Sequence, residues 1–218
     1  MKEGVTTMKL NSGELKSAII GMVIGDGCLT KRYKNSNAFI QMTHSANQYD
    51  YMIWKKKIID KITSSKIYRN DGTGQFGDKV YEMYHLSSKV HPLFTKLYKR
   101  FYHQNHKCLD EYLVKKITPL ALAIIAMDDG TVGRYEGKND SFFLCLQSFD
   151  YANQLLFKKS MKIKFDLNWA INKANITKSG TRLYRLRLAG KDRDKFVNII
   201  RPYIDQVPCM SYKFNFIR

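Results

Sequence analysis

The sequence predicts an α+β fold made of two pseudo-symmetric halves, each reading helix, two strands, helix, two strands, helix (αββαββα). Three observations carry that prediction. An apolar helix that runs into acid-glycine occurs twice, at Leu15–Gly27 and at Thr118–Thr131. After each copy, hairpin-like and helical patterns alternate in the same order. Matching residues also recur at matched distances. Asp26 to His44 is 18 positions, as is Asp129 to Gln147; Asp26 to Lys107 is 81, against 84 for Asp129 to Lys213. The halves are expected at residues 12–110 and 111–218.

The first helix covers about 12 to 25, capped by Asn11 or Ser12 and stopped by Gly25-Asp26-Gly27. Lys31, Arg32, Tyr33 and Lys34 lead into a turn at Asn35-Ser36-Asn37, and Ala38 to His44 returns as a strand. An amphipathic helix over about 48 to 62 turns Tyr51, Trp54, Ile58 and Ile59 to a core, with Lys55, Lys56 and Lys57 along its flank. A second hairpin pairs Lys66–Arg69 with Lys79–His85 across a turn at 71–74, and a helix runs from His91 to Tyr102. The second half opens on Thr118 as cap and Pro119 at the first helical position. Its hairpin joins 131–135 to 141–148, and a helix spans 151–164. A further hairpin joins 165–172 to 181–188 around Lys178-Ser179-Gly180, and the last helix spans 191–203.

Eight apolar residues of the Thr118 helix pass without a charge before Asp128 and Asp129 arrive at its C-terminal end. The macrodipole is already negative there, so two acids call for a cation, and a divalent metal is the simplest one. The whole chain is strongly basic, with 37 Lys and Arg against 19 Asp and Glu, net charge +18. Such an excess points to a polyanion, nucleic acid before anionic membrane. The 14 tyrosines and 12 phenylalanines fit the former, since a membrane-surface helix does not require them. Four scattered cysteines with no Cys-x-x-Cys pair argue against a zinc site. The apolar runs are too short to span a bilayer, and the N-terminus lacks the apolar core of a signal peptide. A protein that is not secreted is expected. High Lys, Asn, Ile and Tyr suggests an AT-rich genome, either organellar or bacterial and phage.

Ala18-Ile-Ile-Gly-Met-Val-Ile-Gly-Asp26-Gly27 and Leu122-Ala-Ile-Ile-Ala-Met-Asp-Asp129-Gly130, in a basic chain, resemble the paired motifs of the LAGLIDADG homing endonucleases. Leu146-Gln147-Ser148-Phe149 and Met210-Ser-Tyr212-Lys213 resemble the single-chain, double-motif branch, so the likeness covers about 12 to 215. The first copy has one acid, with Gly25 where another could stand; the family's essential acid is the last before the final small residue. Family membership implies two motif helices packed at a pseudo-twofold axis, with Gly21, Gly25, Ala123 and Ala126 allowing close approach. It further implies a saddle of antiparallel sheets over double-stranded DNA.

The resemblance implies that Asp26 and Asp129 meet at the floor of that saddle and share Mg²⁺, with the carbonyls of Gly25 and Asp128 as extra ligands. A hard divalent ion prefers a few carboxylates plus phosphate oxygens and water. Lys107 and Lys213 resemble the family's active-site lysines, and His44 and Gln147 match one another as holders of ordered water. The hairpins become DNA-reading surfaces. Strand alternation turns Arg185 and Arg187 away from the core, and Asn168, Asn172 and Lys173 outward. Lys31, Arg32, Lys34, Lys66, Arg69 and Lys79 are their first-half equivalents, joined by Arg134 in the second. The expected activity is metal-dependent, site-specific double-strand DNA cleavage by a monomer encoded with an intron. The absence of flanking splicing residues favours an intron-encoded or free-standing enzyme over an intein. The alternatives are an intron RNA maturase and a non-cleaving DNA-binding regulator on the same scaffold.

Overall fold

The computed structural model describes residues 9–69, 71–73, 80–104, 106–135 and 138–214. Its centre is a pair of helices, α1 (Ser12–Ile24) and α5 (Pro119–Asp129). Asn11 caps α1 in a reciprocal pair: its side chain accepts from the Glu14 amide at 3.0 Å, and Glu14 accepts from the Asn11 amide at 2.9 Å. Thr118 caps α5, with Pro119 in the first turn. Apart from their first turns, both helices are buried, as unbroken apolar runs require.

The two helices run in the same direction. Ser17 and Thr118 hydroxyls meet at 2.9 Å near the N-terminal ends, and the Asp26 amide reaches the Asp128 carboxylate at 3.2 Å at the C-terminal ends. Between them Gly21 lies against the Ala121 backbone, where an added Cβ would sit 2.7 Å from a carbonyl oxygen. Gly25 gives the same clearance to the Asp128 side chain. The expected close approach occurs at Gly21 and Gly25, with Ala121 and Asp128 as their nearest partners rather than the expected Ala123 and Ala126. Parallel packing delivers both acid ends to one place.

Each helix hands over to a four-stranded antiparallel sheet. In the first half β1 (Cys28–Lys31), β2 (Ala38–Ser45), β3 (Ser65–Arg69) and β6 (Met83–Ser88) take the order β1-β2-β6-β3. A short ribbon, β4 (Gly72–Thr73) with β5 (Val80–Tyr81), extends it. In the second half β9 (Gly130–Tyr135), β10 (Lys138–Leu144), β11 (Ala170–Ile176) and β12 (Arg182–Ala189) take the order β9-β10-β12-β11, the same topology. The edge strands β1 and β9 follow directly on the acid-glycine ends.

Helices α2 (Tyr49–Ile59) and α3 (Pro92–Phe101) cover one face of the first sheet, and α6 (Tyr151–Phe165) and α7 (Gly190–Ile204) cover one face of the second. Leu29, Ala38, Ile40, Met42 and Leu86 are buried against the first pair of helices; Phe142, Leu144, Leu186 and Leu188 against the second. Among the described residues, no helix is long and apolar enough to cross a membrane.

The structure differs from the sequence expectation in several places. A short helix, α4 (Glu111–Lys115), precedes α5; Asp110 caps it by accepting from Leu113 at 2.7 Å. A ribbon of β7 (Tyr102–His103) and β8 (His106–Lys107) carries Lys107, whereas Lys213 lies in a 3-10 segment, Pro208–Phe214. The strand placed at 165–172 begins only at Ala170, because α6 continues to Phe165 and Asp166 ends it in the left-handed region at φ 51°. Lys55, expected on the flank of α2, is fully buried.

Candidate active site

The two acids leave the helix ends unequally. The Asp26 side chain is 41% exposed, while Asp129 is the last residue of α5 and is largely enclosed. Burial, then the neighbouring Asp128, pushes the Asp26 carboxyl up from its ordinary value. Burial, then Asp26 and Asp128, pushes Asp129 up to about 7. These shifts record crowded negative charge with incomplete compensation.

Lys107 and Lys213 answer one another across the site. The Lys107 ammonium donates to the last carbonyls of the first helix, Ile24 O at 3.4 Å and Gly25 O at 3.3 Å. Lys213 donates to the Asp128 carbonyl at the end of the second. Each lysine therefore caps a helix C-terminus whose carbonyls have no partner within the helix. Burial lowers both ammonium pKa values against the pull of the acids. The structure thus brings the sequence-predicted lysines to the acids. The carbonyls of Gly25 and Asp128, expected as further metal ligands, each accept from one of these two lysines.

Below the acids lies a buried network the sequence reading missed. Lys55 Nζ is 2.6 Å from Asp128 Oδ1 and 3.1 Å from His44 Nε2, and the side chains of Lys55 and Asp128 are both fully inaccessible. The Tyr51 hydroxyl also donates to Asp128 Oδ1, at 2.8 Å. Asp128 Oδ2 accepts the Asp26 amide. An ammonium has only donors, so His44 Nε2 accepts and the imidazole proton sits on Nδ1, donating to Gln48 Oε1 at 2.9 Å. Burial, then Lys55, holds His44 down at about 4, so it stays neutral. A signal for this network was present: Tyr51, Lys55 and Ile58 are one helical stripe, and a lysine inside an apolar stripe marks a buried partner.

Carboxylate or imidazole atoms of Asp26, His44 and Asp128 lie within 4.8 Å of one another, close enough to share a cation. The donor chemistry narrows that set. Both oxygens of Asp128 and both nitrogens of His44 already have partners. Asp129 lies outside that set, but near enough to Asp26 for the neighbouring charge, after burial, to raise its carboxyl. His44 stands 3.8 Å from Asp26 Oδ2. Gln147 lies two residues beyond Cys145, whose amide donates to the Asp129 carbonyl at 2.9 Å; its own side chain bonds the Cys145 thiol.

The sheet registers sort the basic candidates. Lys66 pairs with Ser87 on the open face of the first sheet, and Arg32 lies over Phe39 on that face, 5.8 Å from the ring. Lys31 shares the alternation of Leu29 and stands over Tyr98 of α3 at 5.7 Å, so it belongs to the helix-covered side. Arg69 shares that alternation with Ile67 and is paired with Asp71 at 2.7 Å. Lys34 is exposed in the turn between β1 and β2.

On the second sheet Arg185 pairs with Asn172, and Arg187 with both Ala170 and Phe143, all on the open face. Arg185 lies 4.1 Å over Phe143, and Arg187 Nε donates to Ser141 at 2.9 Å. Lys173 pairs with Tyr184 and shares the face of Ile171 and Leu186, opposite Asn172. Asn168 precedes the strand and its amide bonds Asp192, 3.1 Å away at the start of α7. The expectation that Lys31, Arg69, Asn168 and Lys173 share the reading face is therefore corrected: alternation or a local partner turns each away. Lys79 lies outside the described residues, and Arg134 is described only by its backbone in β9.

The sequence profile of the LAGLIDADG DNA endonuclease family matches residues 16–196. The chain belongs to that family. Among solved structures, it is similar to the homing endonuclease I-WcaI bound to its DNA recognition sequence. That likeness has a TM-score of 0.79 and 25% identity, over 94% of this chain and 88% of that one. An I-DmoI variant in complex with its target DNA, nicked in the coding strand and in the presence of Mn, shares the fold at TM-score 0.51 and 18% identity. It covers 89% of this chain and 99% of that one. Curated relatives include protein RecA of Mycobacterium gastri, 25% identical over 94% of this chain. They also include the cytochrome b mRNA maturase bI2 of Debaryomyces hansenii, 21% identical over 92% of this chain and 73% of its own length. The chain spans less than half the length of the RecA relatives, 48% for that of M. gastri. As a LAGLIDADG protein it joins two four-stranded sheets through its two motif helices in a saddle of antiparallel strands, as the sequence predicted.

Proposed function

We infer that the protein is a divalent-cation-dependent, site-specific endonuclease that binds double-stranded DNA as a monomer and cuts both strands. The observation that carries this is the convergence of the ends of two parallel buried helices, where the Asp26 amide meets the Asp128 carboxylate and the charge of Asp26 reaches Asp129, each end being capped by a lysine. The likeness to I-WcaI bound to its recognition sequence supports the DNA target. When bound, a divalent ion, Mg²⁺ by preference, would supply a polarised water and stabilise charge on the scissile phosphate and the leaving 3′ oxygen. Asp26 and Asp129 would hold it. Lys107 and Lys213 keep positive charge beside the phosphate, where it counts most as negative charge develops. Gln147 orders water on its side of the site; His44 orients Gln48 and faces Asp26.

The open sheet faces read the target. Arg185 has a buried Nε with no hydrogen-bond partner among the described residues, and it lies beside the stacked Phe143. Arg185 and Arg187 suit guanine edges in the major groove, with Asn172 beside them. Arg32, Lys34 and Lys66 contribute on the first half, chiefly to phosphates. The maturase relative favours intron RNA as the second substrate class.

Cleavage of a plasmid library carrying candidate insertion sites, with Mg²⁺ or Mn²⁺, tests the reading. Wild type should give discrete double-strand cuts. Asp26→Asn and Asp129→Asn should each abolish them while leaving DNA binding intact. Tight, salt-sensitive binding of DNA or intron RNA without cutting in any divalent metal would replace the endonuclease by the maturase or a regulator.

A further inference from the structure

We propose that Lys55 is a positioning residue that removes Asp128 and His44 from the cation set, leaving the divalent ion to Asp26 and Asp129. The proposal rests on the endonuclease reading above and deepens it. Three acids converge at the helix ends, and a cation could choose among them. Lys55 decides the choice by occupying Asp128 Oδ1 from below at 2.6 Å while donating to His44 Nε2 at 3.1 Å. Asp128 is then left with one free task, accepting the Asp26 amide at 3.2 Å, which fixes the backbone from which the Asp26 carboxylate projects.

The pair is not explained by stability. Burying an ion pair seldom beats burying two apolar residues of similar size, because desolvation offsets the attraction. Counted from the acids, as His44 and Gln147 are matched, Lys55 lies 29 residues after Asp26 and Lys158 lies 29 after Asp129. Lys158 is only half-buried, so among these two the fully buried cation is a feature of the first half. It lies under the one acidic end where the α5 helix offers an extra carboxylate. The two halves, alike in topology, are thus unlike in charge beneath their acids.

Mn²⁺ titration of the metal-free protein, followed by electron paramagnetic resonance, reads this independently of cleavage. Lys55→Met uncovers Asp128 as a ligand, so Mn²⁺ should bind about tenfold tighter, or in additional equivalents, because each added carboxylate strengthens a hard-cation site. Lys55→Met combined with Asp128→Asn leaves net charge unchanged and keeps an oxygen for the Asp26 amide. It should bind Mn²⁺ as wild type does. Loss of Mn²⁺ affinity in that double variant would overturn the proposal, since Asp128 would then be a ligand. If the single variant does not fold, the isoelectric double variant still decides. Nitrogen-15 spectra of His44 add a second readout: wild type should show the Nδ1–H tautomer, and an Nε2–H tautomer would also overturn the assignment. Asp26→Asn/Asp129→Asn separates the two levels, because retained Mn²⁺ binding there would defeat the underlying metal site rather than the role of Lys55.

Discussion

Asp129 sets the pH response of the metal-free protein. Its carboxyl is raised to about 7 by burial and by Asp26 and Asp128, against an ordinary 3.8. Between those values the folded state binds more protons than the unfolded one, so this group makes stability fall as pH rises through the window. Asp129→Asn removes that loss. In urea unfolding with chelator present, the variant should gain on wild type between pH 4 and pH 8, and added Mn²⁺ should raise the wild-type midpoint but not the variant's. His44, held at about 4, works in the opposite direction between 4 and 6.5, and it cancels in the comparison because both proteins carry it. Lys107→Ala and Lys213→Ala should each cost about 0.3–1 kcal/mol through the lost helix cap, measurable as a shifted urea midpoint, and should slow cleavage far more than they weaken DNA binding. At this scale the sequence showed the acids and lysines clearly, since each is anchored to a motif. It hid the partners of Lys55, because whether a lysine on α2 points to solvent or inward depends on what packs opposite. That neighbour, Asp128, is 73 residues away.

The helix pair tolerates little change at its contact. A methyl group at Gly21 would fall 2.7 Å from the Ala121 carbonyl oxygen and 2.9 Å from its Cα, backbone atoms that cannot move aside alone. Gly21→Ala should therefore cost about 1–3 kcal/mol, as overpacking does, despite the better helix propensity of alanine. The measurement is a urea unfolding curve, and an unchanged midpoint would mean that the helices can slide apart. Sheets make an equally sharp test because alternation divides their residues. Arg187→Ala on the open face of β12 should relax target preference at one or two base pairs, by about 1–3 kcal/mol per lost bidentate contact. Lys173→Ala, on the opposite face of the neighbouring strand, should leave preference unchanged in the same selection experiment. Helix caps were readable at Asn11 and Thr118 because these are local signals. The faces of Lys31, Arg69 and Lys173 were not, since register depends on strand starts and on partners far away in sequence. One misplaced start, at 165 rather than Ala170, was enough to bring Asn168 into the wrong set.

Over the whole molecule the internal repeat was the most legible feature, because both halves obey the same periodicities and end their central helices in the same way. The repeat is one of topology, not of chemistry. The lysine that caps α1 comes from a β-ribbon and the one that caps α5 from a 3-10 segment, while Lys55 is fully buried and Lys158, at the matching distance from its acid, is not. Unlike halves with unlike open faces should recognise unlike half-sites, so the target should be asymmetric rather than palindromic. The net charge of +18 bears on a different quantity. Charge neutralisation of phosphates releases counterions and gives affinity without sequence information, so it should dominate the salt response. If six to ten phosphates are engaged, affinity should fall by about 10³–10⁵ between 50 and 200 mM salt. Lys66→Ala should lower the slope of log affinity against log salt by about one and leave target preference intact. Arg187→Ala should do the reverse, changing preference with little change of slope. Fluorescence anisotropy with the preferred target and a scrambled duplex at four salt concentrations separates the two. Equal slopes and equal preference for both variants would show that the open faces do not touch the duplex, and the reading surface would then have to be sought on the helix-covered side.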